Sequence, residues 1–74
     1  VVAMKNQFTA YIQRDGEWFV AVSPEVPEAN GQGRTRDDSL RSLASAIELV
    51  FEDRRAAARA ELQTSAEETL VAVG

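Results

Sequence analysis

The residues of this chain that could do chemistry are its carboxylates, because the sequence contains neither histidine nor cysteine. That lack removes the commonest general base, the nucleophilic triads and the usual zinc ligands. Clustered carboxylates could still bind magnesium. The candidates for such a site are Asp15, Asp37, Asp38, Glu48, Glu52 and Asp53. Asp15 falls at a predicted turn, and Asp37 and Asp38 fall at a predicted helix start, so we favour local structural roles over a metal-dependent nuclease.

A second candidate for chemistry is Gly31-Gln32-Gly33, which resembles a fragment of a phosphate-binding loop. Neither a third glycine nor a Lys-Ser/Thr pair follows it, and both are needed for the known loops. We therefore predict that the protein is not an enzyme. We also predict no catalytic residue, metal or cofactor.

The length of 74 residues allows a single domain spanning residues 1–74. A domain of this size without disulfides has a small core, and association with other copies is the usual support for such a domain. We therefore expect a homo-oligomer, either a dimer or a tetramer.

The charge balance is acidic, with 8 basic and 12 acidic residues and a net charge of -4. This balance disfavours binding to nucleic acid, which depends on neutralising phosphates, and favours a basic protein partner. No apolar run is long enough to span a membrane, and no secretory signal is visible at the start. We expect a cytoplasmic protein with no membrane contact.

The first predicted element is a β-hairpin made of residues 8–13 and 18–22, joined through Asp15-Gly16 as a type I′ turn. In that register Ile12 would lie opposite Phe19. One sheet face would carry Phe8, Ala10, Ile12, Phe19 and Ala21, and the other Tyr11, Trp18, Val20 and Val22. Because both faces are apolar, we expect both to be covered.

The rest of the chain predicts a weak third strand, a helix and a final strand. Residues 28–33 are glycine-rich and form the weak strand. Thr35 caps a helix that runs to about Leu62 or breaks near Asp53, with an apolar stripe that lies on the sheet. Residues 69–73 form a short apolar strand beside the first one, parallel to it. The fold class is therefore α+β, with the order β-β-β-α-β, a small mixed sheet and one helix on one face.

Several segments in order resemble the HicB family of bacterial antitoxins. The matching pieces are Pro24-Glu25-Val26-Pro27, Gln32-Gly33-Arg34-Thr35, Asp37-Asp38-Ser39-Leu40 and Ala46-Ile47-Glu48-Leu49. They keep the family spacing without insertion, and the match covers about residues 8–53. The chain departs from the family at Arg34, where an acid is frequent.

The resemblance implies a partial ribonuclease-H-like fold without catalysis. It also implies that the protein binds and neutralises a small basic toxin, HicA-like, which cleaves mRNA through a histidine. Family members often carry a C-terminal DNA-binding module, and this sequence ends before one, so we expect no DNA binding.

The leading hypothesis is an antitoxin-like protein that masks the RNA-binding surface of such a toxin, with charge complementarity steering the encounter. The residues predicted to contact the partner combine two aromatic rings, which could equally be core residues, with three acids: Tyr11, Glu17, Trp18, Glu25 and Glu28. Charge reversal at Glu25 and Glu28 is expected to slow association. The alternative is a stand-alone homo-oligomeric regulatory or ligand-binding module with no toxin, in which Trp18 is buried between subunits.

Overall fold

Three short strands and one long helix form the part of the chain that the computed structural model describes, residues 7–73. The elements follow the order β1 (Tyr11–Asp15), β2 (Trp18–Val22), β3 (Asn30–Gly33) and α1 (Arg36–Ala60). The strands form one antiparallel sheet in the order β1-β2-β3. The predicted α+β class with β-β-β-α order is confirmed. Within residues 7–73, no helix is long and apolar enough to cross a membrane.

The hairpin turn lies one residue further along the chain than predicted. Asp15 pairs with Trp18, so the two loop residues are Gly16 and Glu17. Gly16 has φ +64°, and no other described residue has positive φ. Positive φ at the first loop position alone fits a type II′ turn, whereas the predicted type I′ turn needs it at both.

The new turn moves each cross-strand partner by two positions. Ile12 pairs with Ala21 in place of Phe19. Because side chains alternate between faces with a period of two, this shift leaves each residue on its predicted face. The predicted division into two faces is therefore confirmed, although the predicted pairs are wrong.

The helix begins where the sequence predicts. Thr35 has extended backbone geometry, and its hydroxyl accepts a hydrogen bond from the main-chain N–H of Asp38 at 3.0 Å. Asp37 and Asp38 add negative charge at the positive end of the helix. The helix continues without a break to Ala60, so the predicted break near Asp53 does not occur.

The helix packs directly on the backbone of β3. A Cβ placed on Gly31 would lie 2.6 Å from the main-chain oxygen of Ser39, and one on Gly33 would lie 2.5 Å from the Cβ of Asp38. Only glycine permits so close an approach. The glycines that make residues 30–33 a weak strand by sequence are therefore the residues that allow α1 to pack against β3.

The core lies between α1 and the inner face of the sheet. Its buried apolar residues come from the sheet, the loop after β2 and the helix: Ala21, Val26, Ala29, Leu43 and Ile47. Ser39 is also fully buried, with its hydroxyl donating to the main-chain oxygen of Arg36 at 2.7 Å. All residues from 52 to 73 are exposed, so the last turns of α1 extend beyond the core.

The predicted final strand is not formed. Residues 69–73 have no regular structure and are exposed, so the observed sheet is purely antiparallel and not mixed. The physical reason is the path of the chain after the helix. A turn closed by the main-chain N–H of Ala66 and the oxygen of Gln63 follows the helix, and the start of the segment lies beside the end of α1, where Glu68 is 3.5 Å from Arg59.

Candidate interaction surface

The sheet face opposite the helix is open to solvent within residues 7–73. Tyr11 pairs with Val22 and Asp15 pairs with Trp18, so these side chains share this face with Val20. Tyr11 is 60% exposed, Trp18 42% and Val22 43%. We call the row formed by Tyr11, Val22, Val20 and Trp18 the open face. The expectation that both sheet faces are covered is wrong for this chain alone.

The two aromatic residues lie at opposite ends of the open face. Tyr11 is level with Val22, and Trp18 is four residues earlier on the same strand as Val22. At about 3.3 Å per residue this separates the two ends by roughly 13 Å. Val22 and Val20 lie along β2 between the two ends, and Gln13 and Asp15 of β1 lie beside them on the same face.

Trp18 carries a cation on its ring. The guanidinium of Arg34 lies 4.9 Å from the ring centroid, within the range of a cation–π interaction. Arg34 also forms an ion pair with Glu17 at 3.4 Å, between two well-exposed side chains. The three side chains form a charged and aromatic cluster at the turn end of the open face.

Arg34 is not among the contact residues predicted from the sequence. Phe19 pairs with Gly33, so the next pair outward in the same antiparallel register brings Trp18 beside Arg34. The pairing register of β2 with β3 is needed to predict that Arg34 lies beside Trp18. Because β3 contains two glycines, its sequence predicts a strand too weakly to specify that register.

Glu25 is occupied by contacts within the chain. Its carboxylate accepts hydrogen bonds from the main-chain N–H of Thr9 at 2.9 Å, the hydroxyl of Thr9 at 2.7 Å and the hydroxyl of Ser23 at 3.0 Å. The hydrogen bond from the Thr9 side chain is the main cause that lowers the pKa of Glu25. Glu25 thus connects the loop after β2 to the segment before β1.

Glu28 is likewise paired within the chain, on the helix side of the sheet. Its carboxylate accepts a hydrogen bond from Arg54 of α1. The pKa of Glu28 is lowered mainly by a hydrogen bond from its own main-chain N–H, and next by the hydrogen bond from Arg54. The structure therefore brings Tyr11, Glu17 and Trp18 to one face but places Glu28 elsewhere and gives Glu25 a role in the loop.

The candidate magnesium ligands do not come together. Within residues 7–73, no group of three or more acidic residues is arranged to hold a metal ion. Asp15 lies at the hairpin, Asp37 and Asp38 lie at the start of α1, and the remaining three lie further along that helix.

The sequence is similar to a curated protein over nearly its whole length. It is 45% identical over 71 residues to the UPF0150 protein ssl0738 of Synechocystis sp., and the alignment covers 92% of this chain and 97% of that protein. No family model matches the sequence, and no solved structure matches it.

Proposed function

This chain belongs to the UPF0150 family, and from that premise and its HicB-like order of motifs we propose that it is an antitoxin-like binding protein. Its partner is a small basic toxin that cleaves mRNA. The protein neutralises this toxin by covering the surface that binds RNA. It acts by binding alone.

The observation that carries the proposal is the open face. The side chains of Tyr11, Val22 and Trp18 are exposed on one face of the sheet, and one end of this face carries the Trp18–Arg34–Glu17 cluster. Tryptophan, tyrosine and arginine are the residue types that contribute most to binding energy in protein interfaces. A solvent-exposed sheet face that bears all three is suited to a protein partner.

Charge supports a basic partner. The net charge is -4, and long-range attraction to a basic surface raises the rate of encounter. Attraction of this kind weakens as salt screens it. In this proposal the affinity of the complex depends mainly on the open face, while the rate of association depends on the net charge.

The contacts of Glu25, Glu28 and Glu17 in the structure change which acidic residues should be mutated to test the interface. Glu25 and Glu28 hold contacts within the chain, so charge reversal there would disturb the fold as well as any interface. Glu17 is exposed, and within residues 7–73 its side chain pairs with the neighbouring Arg34. Glu17 and Arg34 are therefore the charged residues to vary, together with Trp18.

The proposal is tested by co-purification from cells of the source organism with three forms of the tagged chain: the wild type, Trp18→Ala and Leu49→Ala. Leu49 is an exposed apolar residue on the helix, away from the open face, so its variant controls for loss of surface apolar area. We expect a small, basic, histidine-containing protein in stoichiometric yield with the wild type and Leu49→Ala but not with Trp18→Ala.

Recovery of the wild-type chain by itself, as a defined oligomer, would overturn the proposal. It would support the second function, a stand-alone regulatory or ligand-binding module that assembles with its own copies. The fluorescence of Trp18 would distinguish the two, since this is the single tryptophan of the chain. Emission typical of a buried ring in the free protein would place Trp18 between subunits.

A further inference from the structure

The turn end of the open face carries two carboxylates beside the ring of Trp18. Asp15 of β1 pairs with Trp18 of β2, so their side chains leave the sheet on the same face. Glu17 lies between them in the loop, and all three residues are exposed. We call Asp15, Glu17 and Trp18 the acidic corner. None of the ion pairs within residues 7–73 uses Asp15, so the single guanidinium of Arg34 leaves this corner with an excess of negative charge.

The position of Arg34 shows which chemistry fits the acidic corner. Its guanidinium lies 4.9 Å from the centroid of the Trp18 ring, and its Nη1 lies 3.4 Å from Oε1 of Glu17. A planar guanidinium can stack on an aromatic ring and donate hydrogen bonds in its own plane to a carboxylate at the same time. An ammonium group has no flat face to stack. The acidic corner is therefore better suited to arginine than to lysine.

Arg34 is held only weakly in this position. The side chains of Arg34 and Glu17 are 65% and 81% exposed. Ion pairs and cation–π contacts at exposed sites each contribute little, because water solvates the charges. The Arg34 side chain also lies outside the buried core, so it can leave the ring without disturbing the packing of the sheet on α1. A second guanidinium that brings further contacts can therefore take its place.

We infer that the acidic corner binds an arginine side chain of the basic partner, and that Arg34 occupies the same place in the free chain. The identity of the partner rests on the proposed function. On binding, the guanidinium of the partner displaces Arg34 from the Trp18 ring and from Glu17. Both contacts become stronger when the partner excludes water from them. Arg34 is thus an internal competitor that weakens the binding of any partner without a well-placed arginine.

The emission of Trp18 tests whether Arg34 lies on the ring, because this is the single tryptophan of the chain. Arg34→Gln removes the guanidinium. Arg41→Gln is the matched control, since Arg41 is an exposed arginine that pairs with Asp38 on α1. We expect the emission of the free chain to change in Arg34→Gln and to stay as in the wild type in Arg41→Gln. Unchanged emission in both variants would overturn the inference.

Titration with a peptide tests whether the acidic corner binds arginine. The probe is acetylated and amidated Gly-Gly-Arg-Gly-Gly, followed by the emission of Trp18. Arg34→Gln and Arg41→Gln have the same net charge, but the first lacks the competitor, so we expect it to bind the peptide about 3- to 10-fold more tightly. Adding Glu17→Gln to Arg34→Gln is expected to abolish this gain.

The same peptide with lysine or citrulline in place of arginine is expected to bind more weakly to Arg34→Gln, because it lacks a charged guanidinium. Equal affinities of the two single variants, equal affinities of the arginine and lysine peptides, or the absence of a saturable change in emission would each overturn the inference. The peptide titration needs no toxin. Its failure would leave the result of the co-purification unaffected, and co-purification without a toxin would leave the acidic corner as a site for the arginine of another basic protein.

The purified basic partner gives the final test. We expect Arg34→Gln to lower the Kd of the complex about 3- to 10-fold relative to Arg41→Gln, because the partner no longer has to displace a guanidinium. A higher Kd for Arg34→Gln would show that Arg34 itself contacts the partner, and it would overturn the role of Arg34 as a competitor.

Discussion

Glu25 and Thr9 are joined by two hydrogen bonds to one carboxylate, from the main-chain N–H at 2.9 Å and the hydroxyl at 2.7 Å. The pair links the chain before β1 to the loop after β2. The same loop contributes the buried side chain of Val26 to the core. Pro24-Glu25-Val26-Pro27, one of the segments that resemble the HicB family, therefore also has a structural role here. We call the Glu25–Thr9 pair the clamp.

The first prediction concerns the dependence of stability on pH. Hydrogen bonds from Thr9 lower the pKa of Glu25 below its ordinary value of 4.5. A carboxyl group whose pKa is lowered by folding stabilises the folded state above its unfolded pKa, and this contribution is lost as the pH falls through the folded pKa. We expect Glu25→Gln to lower the urea midpoint at pH 7 and to reduce the loss of stability on acidification below about pH 4.5.

Thr9→Val is the matched partner of that experiment, because it removes the hydroxyl but keeps the main-chain donor. If the clamp is real, the effects of Glu25→Gln and Thr9→Val on the free energy of unfolding are non-additive in a double-mutant cycle. Strictly additive effects would show that the two side chains are not coupled.

The second prediction concerns the close approach of α1 to β3. Gly31→Ala places a Cβ 2.6 Å from the main-chain oxygen of Ser39. Since helix and strand must then separate, we expect a loss of about 1–3 kcal/mol in the free energy of unfolding, as for overpacked cores. Gln32→Ala, exposed on the same strand, is the control and is expected to change it by less than about 0.5 kcal/mol. Equal, small effects in urea denaturation would refute direct packing.

The third prediction concerns the start of the helix. Thr35→Ala removes the acceptor for the main-chain N–H of Asp38 and is expected to cost about 0.5–2 kcal/mol. Thr35→Ser keeps an oxygen at the same position and should retain most of the stability. Thermal unfolding of both variants tests whether the Thr35 hydroxyl caps the helix. Equal stability of the alanine and serine variants would contradict this role.

The sequence predicted those features that depend on local chemistry. The cap at Thr35, the helix, the three-strand order and the two faces of the hairpin all follow from side-chain type and spacing. The exact hairpin pairs did not follow, because Gly16 can be the second loop residue of a type I′ turn or the first loop residue of a type II′ turn, and the two choices give different strand registers.

The features that sequence reasoning missed depend on contacts between distant parts of the chain. The position of Arg34 over Trp18 requires the β2–β3 register. The clamp between Glu25 and Thr9 joins residues 16 apart. Residues 69–73 have the composition of a strand, but composition does not specify whether a segment pairs with a sheet, and here these residues are exposed without regular structure.

The most direct test of the proposed function is a titration of RNA cleavage by the purified basic partner with the wild-type chain and with Trp18→Ala. We expect cleavage to stop at a molar ratio near one with the wild type. Trp18→Ala, verified as folded, should require at least about 30-fold more protein, which corresponds to the ~2 kcal/mol lost at a central interface residue. Equal inhibition by both proteins would show that the open face is not the binding surface. Cleavage that continues at excess wild type would show that the chain is not an antitoxin.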